Sequence, residues 1–410
     1  MSWRKGFFAQ MEKFPIFDVD THYAEPPDLW TSRAPSKFKD RVLHVEGKAN
    51  GTEAWFIEGR EIAMIGPSVV NKDLGKHLNA FTIPTFENMH PASTYAEDRL
   101  SYMDSHGVAA QIIYPNVIGF GAYQLMKMAP DDVELRQWHV TAYNDALIDL
   151  QKDGKGRLLP QAALPLWDLD ASLKELERIR KLGLTGIAMS DKPADFGQPP
   201  LADPKWDRFF ATCQDLGLPI NFHIGSGSFE GELGKWWSSE RTGIREDGSL
   251  NGPLCVFGAV NNFLNNFQDV ANLILQGILE KYPKLNFVSV ESGVGWLPFV
   301  IQGLEHNWAE MTSKEERARF KRSPKEQFVD QIYASYWFEK KNCVDLFIDE
   351  FGDNNIMFQT DFPHPTSLYP NIRDKAQETL GHHSVETQKK VLFKNAERVY
   401  GVALDDPKSH

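Results

Sequence analysis

Short apolar segments alternate with helix-like segments along most of this chain. The apolar segments have the length of β-strands, and between most of them apolar residues recur with the spacing of an amphipathic helix. This alternation is typical of βαβ units, in which helices connect parallel strands. The predicted strands cover residues 14–22, 110–114, 158–164, 185–190, 218–223, 285–291, 331–337 and 355–361.

Signals for helix ends fit the same pattern. A helix through residue 181 is predicted to begin after Asp168, a good N-cap residue, and to stop at Gly183. Eight strands with intervening helices indicate a closed (β/α)8 barrel, the TIM-barrel fold, in a single domain of residues 1–410. The other predicted helices cover residues 96–106, 206–217, 256–282 and 384–400.

Two insertions follow predicted barrel strands, the first and the fifth. Residues 31–95 contain a hairpin-like stretch, residues 41–65, with Asn50-Gly51 as its turn. Residues 225–255 are rich in Gly, Ser, Trp and charge. Loops after barrel strands lie at the C-terminal face, so both insertions are expected near an active site. The aromatic residues of the second insertion form either an apolar lid or a dimer contact: Phe229, Trp236 and Trp237.

Composition narrows the possible partners. The formal net charge of −12 argues against nucleic acid or an anionic membrane as a partner, but a metal or one Arg could still hold a small anionic substrate. Cys213, Cys255 and Cys343 are far apart, so neither a disulfide framework nor a thiolate zinc site is expected. The sequence has no apolar run long enough for a membrane span and no signal-peptide pattern at its start, so we expect a cytoplasmic protein.

Three predicted strands end in side chains that bind metals. Asp20 and His22 are two residues apart on strand one, so both point to the same side. His223 ends strand five and Asp361 ends strand eight. Taken singly, His223 is equally well a structural histidine, and Asp361 is better explained as a helix cap or turn residue before Pro363. Together, two imidazoles and two carboxylates at one barrel face predict a divalent-metal site that activates water. Zinc is the expected ion, with manganese or iron as alternatives.

The segment Asp20-Thr-His-Tyr-Ala-Glu-Pro-Pro-Asp-Leu-Trp30 resembles the opening motif of the amidohydrolase superfamily, in the branch related to aminocarboxymuconate-semialdehyde decarboxylase. The resemblance implies that Asp20, His22, His223 and Asp361 hold the metal and that Asp361 also shuttles protons. It further implies a small-molecule substrate and a homodimer. Other segments resemble the same branch in the same order: residues 98–108, 291–298, 360–365 and 394–400.

One position departs from that branch. Its well-described decarboxylases carry a catalytic histidine at the end of strand six, where this chain has Glu291. A carboxylate cannot serve as a cationic acid, so the sequence favours a metal-dependent hydrolase of a small ester, amide, thioester or lactone. Glu291 would be a general base, a second-metal ligand or a substrate anchor, or else a structural carboxylate. Non-oxidative decarboxylation of an aromatic or enoic acid is the alternative, and a non-catalytic metal-binding protein is a third hypothesis.

Other polar residues are less clearly indicated as functional by the sequence. His364 follows strand eight and is a candidate catalytic residue, with a structural role as the alternative. Glu25 is expected to orient the strand-one ligands. The remaining histidines of interest are predicted to lie at the surface: His139, His306, His382 and His383.

Residues 17–21, Phe-Asp-Val-Asp-Thr, also resemble the nucleophile motif of haloacid-dehalogenase-type phosphatases. That motif is usually Asp-x-Asp-Gly-Thr, whereas here Thr21 directly follows the second aspartate. The sequence shows no convincing lysine and acidic pair to complete such a site, so a phosphatase is the less favoured hypothesis.

Overall fold

The structure is a computed structural model that describes residues 14–65, 69–72, 83–190, 192–226 and 252–404, without the side chains of Met64, Leu254 and Cys255. Phe229, Trp236, Trp237 and most of the second insertion therefore lie outside the described residues. The strands are β1 Ile16–His22, β2 His44–Gly47, β3 Glu53–Ile57, β4 Arg60–Met64, β5 Val108–Tyr114, β6 Leu158–Pro160, β7 Ile187–Met189, β8 Ile220–His223, β9 Phe287–Val290, β10 Ile332–Tyr336 and β11 Ile356–Phe358.

Helices fill most of the intervals between these strands. The α-helices are Ala96–His106, Tyr123–Met128, Val133–Asp153, Leu169–Lys181, Asp207–Leu216, Gly252–Phe263, Asn266–Leu275, Ile278–Lys281, Leu297–Met311, Lys314–Arg317, Pro324–Gln331, Lys341–Phe351, Ile372–Leu380, Val385–Lys389 and Asn395–Tyr400. Short 3-10 helices cover Phe86–Asn88, Pro91–Ser93, Phe120–Ala122, Pro193–Phe196 and Pro204–Trp206. Among the described residues, no helix is both long enough and apolar enough to span a bilayer.

Eight parallel strands of the described chain form the predicted barrel. β1, β5 and β6 pair in one sheet, and β7 to β11 pair in a second. Backbone bridges join the two sheets at both seams, between Thr21 and Phe362 and between Ala162 and Ile187. At the first seam the Asp361 N–H donates to the Asp20 carbonyl at 2.9 Å. The (β/α)8 fold expected from the alternation of strands and helices is confirmed.

The barrel strands are buried along their length because helices cover the outside while side chains fill the inside. The helix predicted after Asp168 forms as expected, and the Asp168 side chain accepts a hydrogen bond from the Ala171 N–H. The single helix predicted for residues 256–282 is wrong. This segment is broken into three helices, and Gly277, at φ 75°, begins the last of them.

The first insertion contains a three-stranded antiparallel sheet, β2–β3–β4. Its first turn lies at the predicted Asn50-Gly51 position, where Gly51 has φ 81° and its N–H donates to Lys48. His139 connects this insertion to the barrel, because its Nε2 accepts a hydrogen bond of 3.1 Å from the Leu43 N–H. The prediction that His139 lies at the surface is therefore wrong: it is fully buried.

Candidate metal centre and active site

Asp20 and His22 extend from β1 toward the barrel mouth, on the same side of the strand as expected from their spacing. Both side chains are buried. Gln359 Nε2 donates to Asp20 Oδ2 at 2.8 Å, which leaves Asp20 Oδ1 free to face the two histidines. Arg99 Nη2 donates to the His22 carbonyl at 2.6 Å and holds the end of the strand in place.

His223 ends β8 and is also buried. Its Nδ1 is 2.8 Å from the Ile224 carbonyl, so Nδ1 donates there, and Nε2 is the nitrogen whose lone pair the neutral ring offers to the centre. Phe120 stacks on the imidazole, with ring centroids 3.8 Å apart. The ring is therefore fixed both in orientation and in tautomer, as in histidines that bind metals.

Glu291 directly follows β9, and Asp361 lies three residues after the end of β11. Both have a left-handed backbone, with φ 57° and 64°. Non-glycine residues adopt this conformation only at a cost in conformational energy, and such strain concentrates at functional sites. At these two positions the turn of the backbone places each carboxylate at the mouth of the barrel. Asp361 is fully buried and accepts a hydrogen bond from the Thr366 hydroxyl at 3.2 Å.

Four donor atoms from three strand ends converge on one point at the barrel mouth. His22 Nε2 is 3.6 Å from Asp20 Oδ1 and 3.5 Å from Asp361 Oδ1, and His223 Nε2 is 3.3 Å from Asp20 Oδ1. Ligands about 2.1 Å from one tetrahedral ion would lie about 3.4 Å from each other, so these spacings suit a metal. The predicted ligands Asp20, His22, His223 and Asp361 are therefore brought together.

None of these four atoms has a well-formed hydrogen bond among the described residues, although Asp361 Oδ1 lies 2.8 Å from His364 Nδ1. Asp20 Oδ1, His22 Nε2, His223 Nε2 and Asp361 Oδ1 are all buried. Leaving buried polar atoms unsatisfied is costly, and so many in one place call for an explanation. A divalent cation would satisfy all four at once, and the donor set of two imidazoles and two carboxylates fits Zn²⁺, Mn²⁺ or Fe²⁺.

Glu291 and His364 lie beside this centre. Glu291 Oε2 is 3.4 Å from His223 Nε2, and His364 Nδ1 is 2.8 Å from Asp361 Oδ1 and 3.8 Å from Glu291 Oε1. The His364 ring stacks on that of His22, with centroids 4.0 Å apart. Both expected catalytic side chains are thus within reach of the centre, and either could contribute a further donor atom to it.

Burial and charge shift the titration of these groups. Burial raises the pKa of Asp20 and of Glu291, and burial together with His364 lowers the pKa of His22. Burial alone would lower the pKa of His364, but the carboxylates of Asp361 and Glu291 outweigh it and raise that pKa well above the usual range. The site therefore combines histidines of opposite tendency: burial keeps the pKa of His22 low, which favours the neutral ring, whereas neighbouring carboxylates outweigh burial and raise the pKa of His364 and of His223.

Sequence reasoning missed several residues that support the site. Gln359 lies two positions before Asp361, so the alternation of strand side chains could have placed it on the same face. Phe120 comes from the loop after β5 and has no local signal. Glu25 differs from expectation, because it accepts hydrogen bonds from the backbone N–H groups of Asn116 and Val117 and has no hydrogen bond with Asp20 or His22 among the described residues.

Comparison with known proteins places the chain in a family. A family model described as amidohydrolase matches residues 17–402. The chain belongs to the amidohydrolase family. A gamma-resorcylate decarboxylase from Rhizobium sp. (strain MTP-10005) is 26% identical over 326 residues, which cover 77% of this chain and 89% of the relative.

Solved structures of amidohydrolase-type enzymes share the fold. An amidohydrolase from Mycobacterium avium subsp. paratuberculosis K-10 superposes with a TM-score of 0.70 at 20% identity, covering 96% of this chain and 99% of the other. A 5-carboxyvanillate decarboxylase from Novosphingobium aromaticivorans DSM 12444 has a TM-score of 0.62 at 15% identity, with 95% and 97% coverage. That enzyme was solved with manganese and 4-hydroxy-3-methoxy-5-nitrobenzoic acid.

These comparisons contradict one expectation. The presence of Glu291 at the end of strand six favoured a hydrolase, whereas three curated relatives that match 68% to 77% of the chain are gamma-resorcylate decarboxylases. The expectation of a hydrolase is wrong. Its error was to consider one strand end alone, because a further imidazole beside Glu291, that of His364 at 3.8 Å, comes from the loop after β11.

Proposed function

We propose that this chain is a metal-dependent, non-oxidative decarboxylase of a hydroxylated aromatic carboxylic acid. The observation that carries the proposal is the convergence of four unsatisfied donor atoms at the mouth of a barrel related to gamma-resorcylate decarboxylase. Asp20, His22, His223 and Asp361 would hold a divalent cation. When bound, such an ion supplies positive charge that holds the substrate oxygens and stabilises the negative charge that develops as the carbon–carbon bond breaks.

The protein's own part in the reaction is to control a proton. Loss of CO2 leaves an electron pair on the ring carbon, and that carbon must take up one proton to give the phenolic product. The Asp361–His364 pair, 2.8 Å apart, is the proposed donor. His364 is 17% exposed, so it can recover its proton from solvent, while Glu291 keeps the ring in place by its charge.

The identity of the ion is a separate proposal. Zinc was expected from the donor set, and the 5-carboxyvanillate decarboxylase described above holds manganese. Mixed nitrogen and oxygen donors accept both ions. We propose Mn²⁺ or Zn²⁺ as the native cofactor, to be decided by elemental analysis of protein purified without added metal and by the activity that each ion restores.

A substrate screen tests the proposed activity. Protein loaded with Mn²⁺ or Zn²⁺ is incubated with 2,6-dihydroxybenzoate, 5-carboxyvanillate and other hydroxybenzoates, and the products are identified by mass spectrometry. We expect loss of CO2 from at least one of them, with one deuterium at the former carboxyl position when the reaction runs in D2O. Aryl esters are tested in parallel. Ester cleavage without decarboxylation by a metal-loaded sample would contradict the proposal.

We also propose that the chain acts as a homodimer. Val256, Val260 and Leu264 lie at four-residue intervals and are 64%, 53% and 50% exposed, which gives an apolar stripe along the helix Gly252–Phe263 and its end. Val260→Asp would place a charge in the middle of this stripe. Light scattering should show a dimer for the unsubstituted protein and a monomer for the variant; a monomer in both would exclude a dimer.

A further inference from the structure

Gln359 connects three strands beneath the candidate metal centre. It is fully buried and directly follows β11. Its Nε2 donates at 2.8 Å to Oδ2 of Asp20, which lies in β1. Its Oε1 accepts from the Glu291 N–H at 3.2 Å and from the Ser335 hydroxyl of β10. One amide therefore contacts a proposed metal ligand and the backbone of a proposed catalytic residue.

The direction of this amide is fixed by its neighbours. A backbone N–H can only donate, so the atom facing Glu291 N must be the carbonyl oxygen Oε1. The amide nitrogen then has to face Asp20, where it can only donate. The alternative flip would place an NH2 group against the Glu291 N–H and an oxygen against a carboxylate. The hydrogen-bond network thus specifies a donor toward Asp20 rather than permitting either arrangement.

The hydrogen bond from Gln359 determines which carboxylate oxygen of Asp20 faces the candidate metal centre. A carboxylate can rotate about its last bond and can offer a metal either one oxygen or both. The hydrogen bond from Gln359 engages Oδ2, and Oδ1 is left pointing toward His22 Nε2 and His223 Nε2. The same amide supports the Glu291 backbone at its strained φ of 57°.

We propose that Gln359 is a positioning residue. It restricts Asp20 to binding a divalent cation through one oxygen, and it holds the side chain of Asp20 and the backbone of Glu291 in a fixed relative position. This inference rests on the metal site of the proposed function, but it concerns metal affinity and does not depend on which reaction the enzyme performs. Removing a residue that hydrogen-bonds to a metal ligand commonly lowers the metal affinity by about 10- to 100-fold.

Gln359→Met tests the proposal, because methionine keeps the length of the side chain and removes its amide. Free Mn²⁺ is measured by electron paramagnetic resonance while apo-protein is titrated. We expect the dissociation constant of Gln359→Met to rise about 10- to 100-fold. Gln359→Glu keeps the shape and the acceptor toward Glu291, but places a second carboxyl against Asp20. It should lose at least as much affinity.

Gln331→Met is the matched control. Gln331 is also buried, and its amide donates to the Tyr282 and Leu285 carbonyls, away from the ligands. It should lose thermal stability but bind Mn²⁺ like the unsubstituted protein. Equal Mn²⁺ affinity of Gln359→Met and the unsubstituted protein, equal losses in Gln359→Met and Gln331→Met, or no Mn²⁺ binding at all would each overturn the proposal. Gln359-dependent binding without any decarboxylation would leave it standing and remove only the proposed function.

Discussion

Lowering the pH should weaken the attachment of the first insertion through one buried histidine. His139 Nε2 accepts from the Leu43 N–H at 3.1 Å, and its Nδ1 donates to the Leu135 carbonyl at 2.8 Å. Both nitrogens are therefore used by the neutral ring. Protonation would add a hydrogen to Nε2, where it would face the Leu43 N–H, so the cationic form has no suitable partner there.

The size of this effect follows from the pKa. Burial lowers the pKa of His139 to about 4, from an ordinary value of 6.5. Between these values the unfolded chain binds more protons at this residue than the folded protein, so stability falls as the pH is lowered. From the two pKa values, the loss is about 2 kcal/mol at pH 5 and approaches about 3.4 kcal/mol below pH 4. Well above pH 6.5 the contribution is complete and constant.

The assay compares the unsubstituted protein with His139→Gln, which can accept from Leu43 but does not titrate in this range. Urea unfolding at pH 7.5 and pH 5 gives a double difference in which the other titrating groups cancel. We expect the unsubstituted protein to lose about 2 kcal/mol more than the variant. Hydrogen exchange of the peptide containing Leu43 should accelerate in parallel. Identical pH dependence of the two proteins would refute this account of His139.

Three further predictions concern the site and its support. Asp361→Asn should abolish turnover with little change in Tm, because asparagine tolerates the left-handed backbone at φ 64° but lacks the charged oxygen; residual activity above a few per cent, measured by product formation, would exclude Asp361 from the mechanism. Chelation should abolish activity, and added Mn²⁺, Zn²⁺ or Fe²⁺ should restore it; full activity in a sample shown to be metal-free would contradict a metal role. Burial raises the pKa of Glu25 to about 7, so the native state loses stability as the pH rises through 4.5 to 7. Glu25→Gln should therefore gain stability relative to the unsubstituted protein between pH 5 and pH 8 in thermal melts; a constant difference would argue against the raised pKa.

Local sequence rules were sufficient to predict site residues whose placement follows from the alternation of side chains along a strand or from the end of a strand. The two-residue spacing of Asp20 and His22 placed both on one side of β1, and Asp361 followed from the end of an apolar strand. Contacts that depend on distant segments could not be predicted. His139 has the pattern of an exposed helical residue, and only the insertion that carries Leu43 buries it. Glu25 has its partners 91 positions away in a loop whose path no local rule specifies.

The error about the reaction has the same origin. Glu291 was judged against one position of the family pattern, but the imidazole of His364, 3.8 Å from it, comes from the loop after another strand. The turn that brings His364 there depends on the closed barrel, and the sequence alone does not show it. The single-domain organisation of residues 1–410 stays a prediction.

The seam between β1 and β11 has a consequence for biosynthesis. Asp20 and Gln359 are 339 positions apart and yet share a hydrogen bond, and the Asp361 N–H donates to the carbonyl of Asp20. A nascent chain therefore exposes the first pair of proposed ligands long before the ribosome has made the last one. Binding of a cation with full affinity by the proposed site must wait until Asp361 has been made, so chains that stop before it would leave the ribosome unable to assemble the complete site.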